Sequence, residues 1–262
     1  MIFESHAHYE SERFDPDREQ LLASMKENGI GTIINVGSSV ESCKETVKLM
    51  ETYDFIYGAL GVHPSDISGL NEESLKWIEE MAAHPKTVAV GEIGLDYYWE
   101  KDPEIRKQQK YWFRRQLELA ERTGLPVIIH SRDAAQDTME IMKEASQKGI
   151  RGVIHCYSYS EEMALEYVKM GYYIGVGGVV TFKNARKLKE AVEAIPAEKI
   201  LLETDCPYMA PEPYRGKRNS SLYLPLVAEK IGELKGLSRE AVISITTENA
   251  TRLFRKAGAA ES

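Results

Sequence analysis

The chain has 262 residues, 43% of them hydrophobic, enough to bury a large core and close to the roughly 250 residues of a single α/β barrel. Its 33 basic and 41 acidic side chains leave a formal net charge of -8, which excludes a surface that grips nucleic acid by bulk electrostatics but leaves room for a local basic groove. No apolar stretch approaches the roughly 20 residues of a membrane span, and Met1 leads directly into a strand-like segment without a signal-peptide pattern, so a soluble cytoplasmic protein with no membrane association is expected.

From the N-terminus, Ile2-Phe3 opens a short apolar strand that runs into Glu4-Ser5-His6-Ala7-His8. A helix is predicted over 16–28, opened by Asp15-Pro16 and stopped at Asn28-Gly29. Ile30 to Val36 reads as the second strand, 39–53 as a helix, and Phe55 to Leu60 as the third strand, leading into Gly61-Val62-His63-Pro64. Thr87 to Gly91, Pro126 to Ile129, Gly152 to Ile154, Tyr172 to Val176 and Lys199 to Thr204 supply the remaining strands. Helices near 71–83, 103–123, 133–148, 160–169 and 184–194 separate them, and two more, about 221–235 and 238–256, close the chain, the last capped by Ser238.

Eight short strands alternating with amphipathic helices predict a parallel sheet closed into a (β/α)8 TIM barrel of the α/β class, one domain over 1–258 with a tail at 259–262. No dinucleotide or P-loop phosphate motif is present. Gly175-Val176-Gly177-Gly178 has only a superficial likeness to one, and these glycines are expected to relieve crowding near the barrel mouth.

Ligand-type residues recur where apolar runs end. His6 and His8 alternate on one strand and so share a face. Glu92, His130, His155 and Asp205 each follow an apolar run. A lone histidine in such a place is ordinarily a hydrogen-bonded structural imidazole, but six such residues in register read as a metal site at the carboxyl ends of strands 1, 4, 5, 6 and 8, because unpaired imidazoles and carboxylates would be costly to bury together. Cys43, Cys156 and Cys206 form no CxxC pair, which fits a reducing compartment. Strand alternation is expected to turn Cys156 and Cys206 away from their neighbours His155 and Asp205, so neither is counted as a ligand.

Other candidates surround this set. His63 reads as a contact for a substrate phosphate or as a cap for its turn. Glu203, two residues before Asp205, is a candidate to orient a ligand or water, or else a buried ion-pair partner. Arg132 is a candidate phosphate contact unless Ser131-Arg132-Asp133 merely opens a helix. Tyr97, Tyr98 and Trp99 beside Asp96 are expected to pack on the barrel rim, with stacking on a base as the lesser alternative. Lys183, Arg186, Lys187 and Lys189, and Arg215, Lys217 and Arg218, are expected on solvated faces.

The segments Ser5-His6-Ala7-His8, Gly61-Val62-His63-Pro64, Gly91-Glu92-Ile93-Gly94-Leu95-Asp96-Tyr97, His130-Ser131-Arg132, His155-Cys156-Tyr157-Ser158, Glu203-Thr204-Asp205-Cys206-Pro207-Tyr208 and Asn249-Ala250-Thr251-Arg252-Leu253-Phe254 together resemble, in order and over nearly the whole chain, the motifs of the TatD family of metal-dependent deoxyribonucleases in the amidohydrolase-like barrel superfamily. The resemblance implies two divalent ions, Mg²⁺, Mn²⁺ or Zn²⁺, with His6, His8 and Asp205 around one, His130 and His155 around the other, and Glu92 bridging. It also implies DNA as substrate, with Asp205 and Glu92 in the chemistry; Glu203, from its spacing to Asp205, is the further catalytic candidate, and no obligatory protein partner is evident. Four positions depart from the family's usual pattern: Glu4 stands where Asp is common, Ser220-Ser221 where Glu-Pro is common, and Tyr159 where Gly is usual. A barrel hydrolase of small amides, lactones or phosphoesters is the rival reading, since one fold serves many leaving groups. A non-catalytic binding barrel is the remaining one.

Overall fold

The computed structural model describes residues 1–258; the expected tail at 259–262 lies outside the described residues. Strands and helices alternate in eight successive β/α units, as the sequence predicts for an α/β barrel: β1 (Ile2–Ala7), α1 (Arg18–Ala23), β2 (Ile30–Val36), α2 (Val40–Thr52), β3 (Ile56–Leu60), α3 (Glu72–Met81), β4 (Thr87–Asp96), α4 (Pro103–Thr123), β5 (Val127–Arg132), α5 (Ala135–Gln147), β6 (Gly152–Ile154), α6 (Glu161–Lys169), β7 (Tyr173–Val176), α7 (Arg186–Ala194), β8 (Ile200–Leu202) and α8 (Leu224–Lys235). Two further helices follow, α9 (Arg239–Leu253) and α10 (Arg255–Gly258). No described helix is long and apolar enough to cross a membrane. The chain groups into two compact units, residues 1–35 with 156–252, and residues 36–155 with the segment from 253 onward.

In the first unit β1 pairs in parallel with β2, Glu4 opposite Ile33 and Ala7 opposite Asn35, and β7 pairs in parallel with β8, Ile174 opposite Ile200. Ala7 also bridges to Cys206, and the Ser5 hydroxyl donates to the Leu202 carbonyl at 2.8 Å. β8 is buried throughout and β7 at all but Tyr173, which is why these two read as continuous apolar runs rather than alternating ones. Asn249 of α9 donates to the carbonyls of Ala197 and Ile200, each at 2.9 Å, so the Asn249-Ala250-Thr251-Arg252 motif pins α9 to the start of β8. The predicted cap of α9 is present, Ser238 Oγ accepting the Ala241 N–H at 3.1 Å.

The helix expected over 16–28 is broken. It runs only from Arg18 to Ala23, and a separate 3-10 turn covers Lys26–Asn28 before Gly29 takes a left-handed φ of 82°. Ser24 Oγ donates to the Leu21 carbonyl and the Asn28 side chain to the Ser24 carbonyl, and such local side-chain bonds compete with the helical ladder.

In the second unit β3 pairs with β4, β4 with β5 and β5 with β6, all in parallel. The expectation for β4 is corrected. It continues five residues past Gly91, to Asp96, buried throughout, with its register shifting between Val90 and Ile93. Glu92 therefore lies inside the strand rather than after it, and β5 likewise contains His130 and Arg132. The two glycines of Gly91-Glu92-Ile93-Gly94 hide this continuity, and the structure explains both: a Cβ on Gly91 would press on Ile128, and one on Gly94, whose φ is +150°, would collide with the His130 carbonyl.

The longest helix, α4, starts at the Asp102 cap with Pro103 in its first turn and ends at Gly124, φ 67°, as the capping rules require. From it Gln116 clasps the backbone of Val62 with both amide atoms, at 2.7 and 3.1 Å. Gln109 does the same for Asp96, at 3.1 and 3.2 Å. Both strand ends are thus held from outside the sheet. Gly94→Ala should cost about 2–5 kcal/mol, since the new methyl meets backbone and the conformation is strained for an L-residue; urea unfolding followed by circular dichroism measures this, and a loss under about 0.5 kcal/mol would contradict the packing described.

Candidate metal clusters

In the first unit, β1 and the segment leaving β8 run side by side. The Asp205 N–H donates to the His6 carbonyl at 2.9 Å and the His8 N–H to the Cys206 carbonyl at 2.8 Å. This pairing brings three predicted residues together: His6 Nε2 and His8 Nε2 are 3.1 Å apart, and Asp205 Oδ1 is 3.8 Å from the first and 3.4 Å from the second. Asp205 has a φ of 57°, uncommon outside glycine and the kind of strain that concentrates at functional positions.

The other nitrogen of His8, Nδ1, faces Glu10 Oε1 at 3.4 Å, and Glu10 is itself fixed by the Asn35 amide at 2.8 Å. Burial alone would lower the His8 pKa, but the Asp205 and Glu10 carboxylates outweigh it and hold the pKa well above the ordinary imidazole value. Glu203 is buried, its Oε1 accepting the Cys156 N–H at 2.6 Å, and one of its oxygens lies within 4.8 Å of a His6 nitrogen. Gly175 leaves the space for this carboxyl group, because a Cβ there would collide with it, as the crowding argument expects. Cys156 has a φ of 44° and lies beyond β6, so the alternation argument that turned its side chain away does not apply.

Beneath this cluster sits Glu4, fully buried. Its carboxylate accepts the His6 N–H at 3.1 Å, the Thr204 N–H at 2.9 Å, and the hydroxyls of Thr204 and Ser221 at 2.7 and 2.9 Å. Burial pushes its pKa up to about 7 against the pull of these donors. Thr204 and Asn219 extend the brace, the Asn219 amide donating to the Thr204 carbonyl at 2.9 Å.

In the second unit, Glu92 Oε1 is the common point. His130 Nδ1 lies 2.8 Å from it, and His63 Nε2 and His155 Nε2 each 3.9 Å. The three imidazoles come from the ends of β3, β5 and β6. His63 also accepts the Ser65 N–H on Nδ1 at 3.1 Å, so it caps its turn and faces Glu92 at once. The far nitrogen of His130, Nε2, meets Asp96 Oδ2 at 3.2 Å. Burial would raise the Asp96 pKa, but the hydrogen bonds from His130 and the Trp99 N–H hold it below the usual carboxylate value. Burial would likewise lower the His130 pKa, and Asp96 and Glu92 raise it instead. Arg132 does not join this group: its guanidinium lies over the Tyr98 ring, 4.0 Å from the centroid.

The donor sets fit divalent cations. Ligands about 2.0–2.2 Å from an ion in tetrahedral or octahedral array are roughly 3.0–3.5 Å apart, and the His6–His8 and His8–Asp205 separations fall in or at that range. Each cluster also has a histidine with one nitrogen inward and the other on an outer carboxylate, His8 on Glu10 and His130 on Asp96, the arrangement that fixes tautomer and orientation in metal-binding imidazoles. Sequence reasoning missed Glu10 as a partner and gave Asp96 no role beside His130. Glu10 follows His8 by two residues within the turn that leaves β1, and that nearness in sequence was the one available signal.

The model of the family described as TatD related DNase matches residues 3–255. The chain is 47% identical over 255 residues to a protein of Bacillus subtilis (strain 168) named "Uncharacterized metal-dependent hydrolase YabD", covering 97% of this chain and 99% of that one. It is 31% identical over 252 residues to "3'-5' ssDNA/RNA exonuclease TatD" of Cronobacter sakazakii, covering 94% and 95%. Among solved structures, that of YJJV, a TatD homologue from Escherichia coli K12, superposes with a TM-score of 0.90 at 31% identity over 97% of this chain and 98% of that one, in keeping with the barrel class.

Between pH 5 and pH 8 the stability of the chelator-treated protein should fall relative to a Glu4→Gln variant. Glu4 has a raised folded pKa, so its contribution is full below about 4.5, the ordinary value, and lost as pH rises through about 7. The gap should open by up to about 3 kcal/mol in denaturant unfolding, and a pH-independent gap would contradict a buried, ionising Glu4.

Proposed function

The chain belongs to the TatD related DNase family and is a metal-dependent hydrolase, and from that premise we propose that it hydrolyses phosphodiester bonds in DNA with two divalent ions, one that His6, His8 and Asp205 would hold and one that Glu92, His130 and His155 would hold. The observation that carries this reading is the facing pair of His6 and His8 Nε2 atoms, 3.1 Å apart with the Asp205 carboxylate beside them. Such an array is costly to bury without a cation and well suited to one. Mg²⁺ or Mn²⁺ suits the mixed carboxylate and imidazole set, and Zn²⁺ is the alternative occupant.

When bound, divalent ions lower the pKa of a coordinated water and offset charge on the phosphoryl group and the leaving oxygen. The chain's own part is positional. Asp205, held by the His6 carbonyl on its N–H, is placed to take the proton of the attacking water. Glu203, anchored by the Cys156 N–H, orients that water. His63, fixed at Nδ1 by Ser65, presents Nε2 toward the Glu92 side, where it would contact a phosphate oxygen. Arg132 would neutralise a neighbouring phosphate. The name of the Cronobacter relative supports a nucleic-acid substrate over small amides or lactones.

Glu92→Ala should lose bound metal, by elemental analysis, together with at least about 10³-fold of turnover on single-stranded DNA; a variant with normal metal content and rate would exclude the ligand role. Chelation should abolish hydrolysis and added Mg²⁺ or Mn²⁺ restore it, assayed on single-stranded DNA beside a panel of small esters and amides. Turnover of the panel with none of DNA would favour the small-molecule hydrolase instead.

A further inference from the structure

We propose that Trp99, its ring set nearly perpendicular to that of Tyr98 at 4.8 Å between centroids, forms a stacking surface for an unpaired base of the DNA strand, with Arg132 as the neighbouring cation; this rests on the phosphodiesterase reading above. Large aromatic side chains are ordinarily buried, yet Trp99 is 70% and Tyr98 43% exposed. They sit at the tip of the turn between β4 and α4, and the turn is held from within. Asp96 Oδ1 accepts the N–H groups of Tyr98 and Trp99 at 2.9 and 3.0 Å, the Tyr97 hydroxyl donates to Asp137 at 2.6 Å, and the Arg106 guanidinium covers the Tyr97 ring. The exposed rings are thus presented on a fixed base, which limits the conformational entropy lost when a ligand stacks on them.

The same Asp96 joins the platform to the metal cluster, since its other oxygen meets His130 Nε2 at 3.2 Å. Arg132, two residues after His130, lies 4.0 Å from the Tyr98 centroid and 5.7 Å from that of Trp99, and no carboxylate among the described residues pairs with it. Its guanidinium is seated over the Tyr98 ring, and its N–H groups therefore remain for a phosphate. The acids nearby are engaged in backbone caps: Glu100 accepts the Asp102 N–H and Asp102 accepts the Glu104 N–H. An exposed indole face, a guanidinium seated over the adjoining Tyr98 ring and a tie to a phosphate-hydrolysing cluster fit a nucleotide of a single strand, whose base is free to stack, better than a duplex, whose bases are already stacked.

The test compares binding of a phosphorothioate single strand that carries bases with the same strand lacking them, by fluorescence anisotropy, for the wild type, Trp99→Ala and Trp99→Phe. Trp99→Ala should weaken binding of the base-bearing strand on the order of tenfold, Trp99→Phe should retain most of the affinity, and the abasic strand should bind all three alike. Equal affinity of wild type and Trp99→Ala for the base-bearing strand, or an equal loss on both strands, would overturn the platform. Thermal melts of the variants exclude misfolding as the cause. If the wild type hydrolysed no phosphodiester, the functional reading would fall while this binding comparison still decided the role of Trp99.

Discussion

Ionisable groups can be buried together only if each finds a partner, and that requirement shapes both clusters. Glu4 is the extreme case: a carboxylate with no exposed surface is kept in place by donors from His6, Thr204 and Ser221. Those bonds join the end of β1 to the segment after β8, and the same join sets His6 and His8 against Asp205. The second unit meets the requirement differently, by interposing His130 between Glu92 and Asp96. In both, the outermost carboxylate steadies an imidazole rather than standing among the donors itself.

The strands and their terminal residues were legible because they are local properties of the chain. A β-branched run leading into His, Glu or Asp is visible without reference to anything distant, and His6, His8, Glu92, His130, His155 and Asp205 stand out on that basis, although Glu92 and His130 prove to lie within β4 and β5. The extent of β4 was not legible. Glycine normally argues against a continuing strand, and only the opposing Ile128 and His130 backbone shows why glycine is needed there. The partners of the clusters were equally hidden: Asp96 and His130 are 34 residues apart and Glu4 and Ser221 217 apart, with no periodicity connecting them. The short α1 was missed for a simpler reason, since the competing bonds of Ser24 and Asn28 depend on rotamers.

The basic residues read from the sequence as solvated faces divide in the structure. Arg218 pairs with Asp17 at 2.6 Å and lies over the Phe14 ring, and Arg215 lies over Phe182. On α4, Arg114 pairs with Glu144, Arg115 with Glu72 and Arg122 with Glu79, tying that helix to α5 and α3. Exposed pairs of this kind are each worth only about 0–1 kcal/mol, so their effect is chiefly to neutralise the helical surface. Arg132, like Arg215 and Arg218, lies over an aromatic ring.

Two of the departures from the family's usual pattern prove to touch each other. Glu4 replaces a common Asp and Ser221 lies where Glu-Pro is common, and the Glu4 carboxylate accepts the Ser221 hydroxyl at 2.9 Å while Ser221 Oγ accepts the Tyr9 hydroxyl at 2.8 Å. Residues sharing such a buried network do not contribute additively. Substitutions at the two positions should therefore be coupled, the cost of changing one depending on which residue stands at the other.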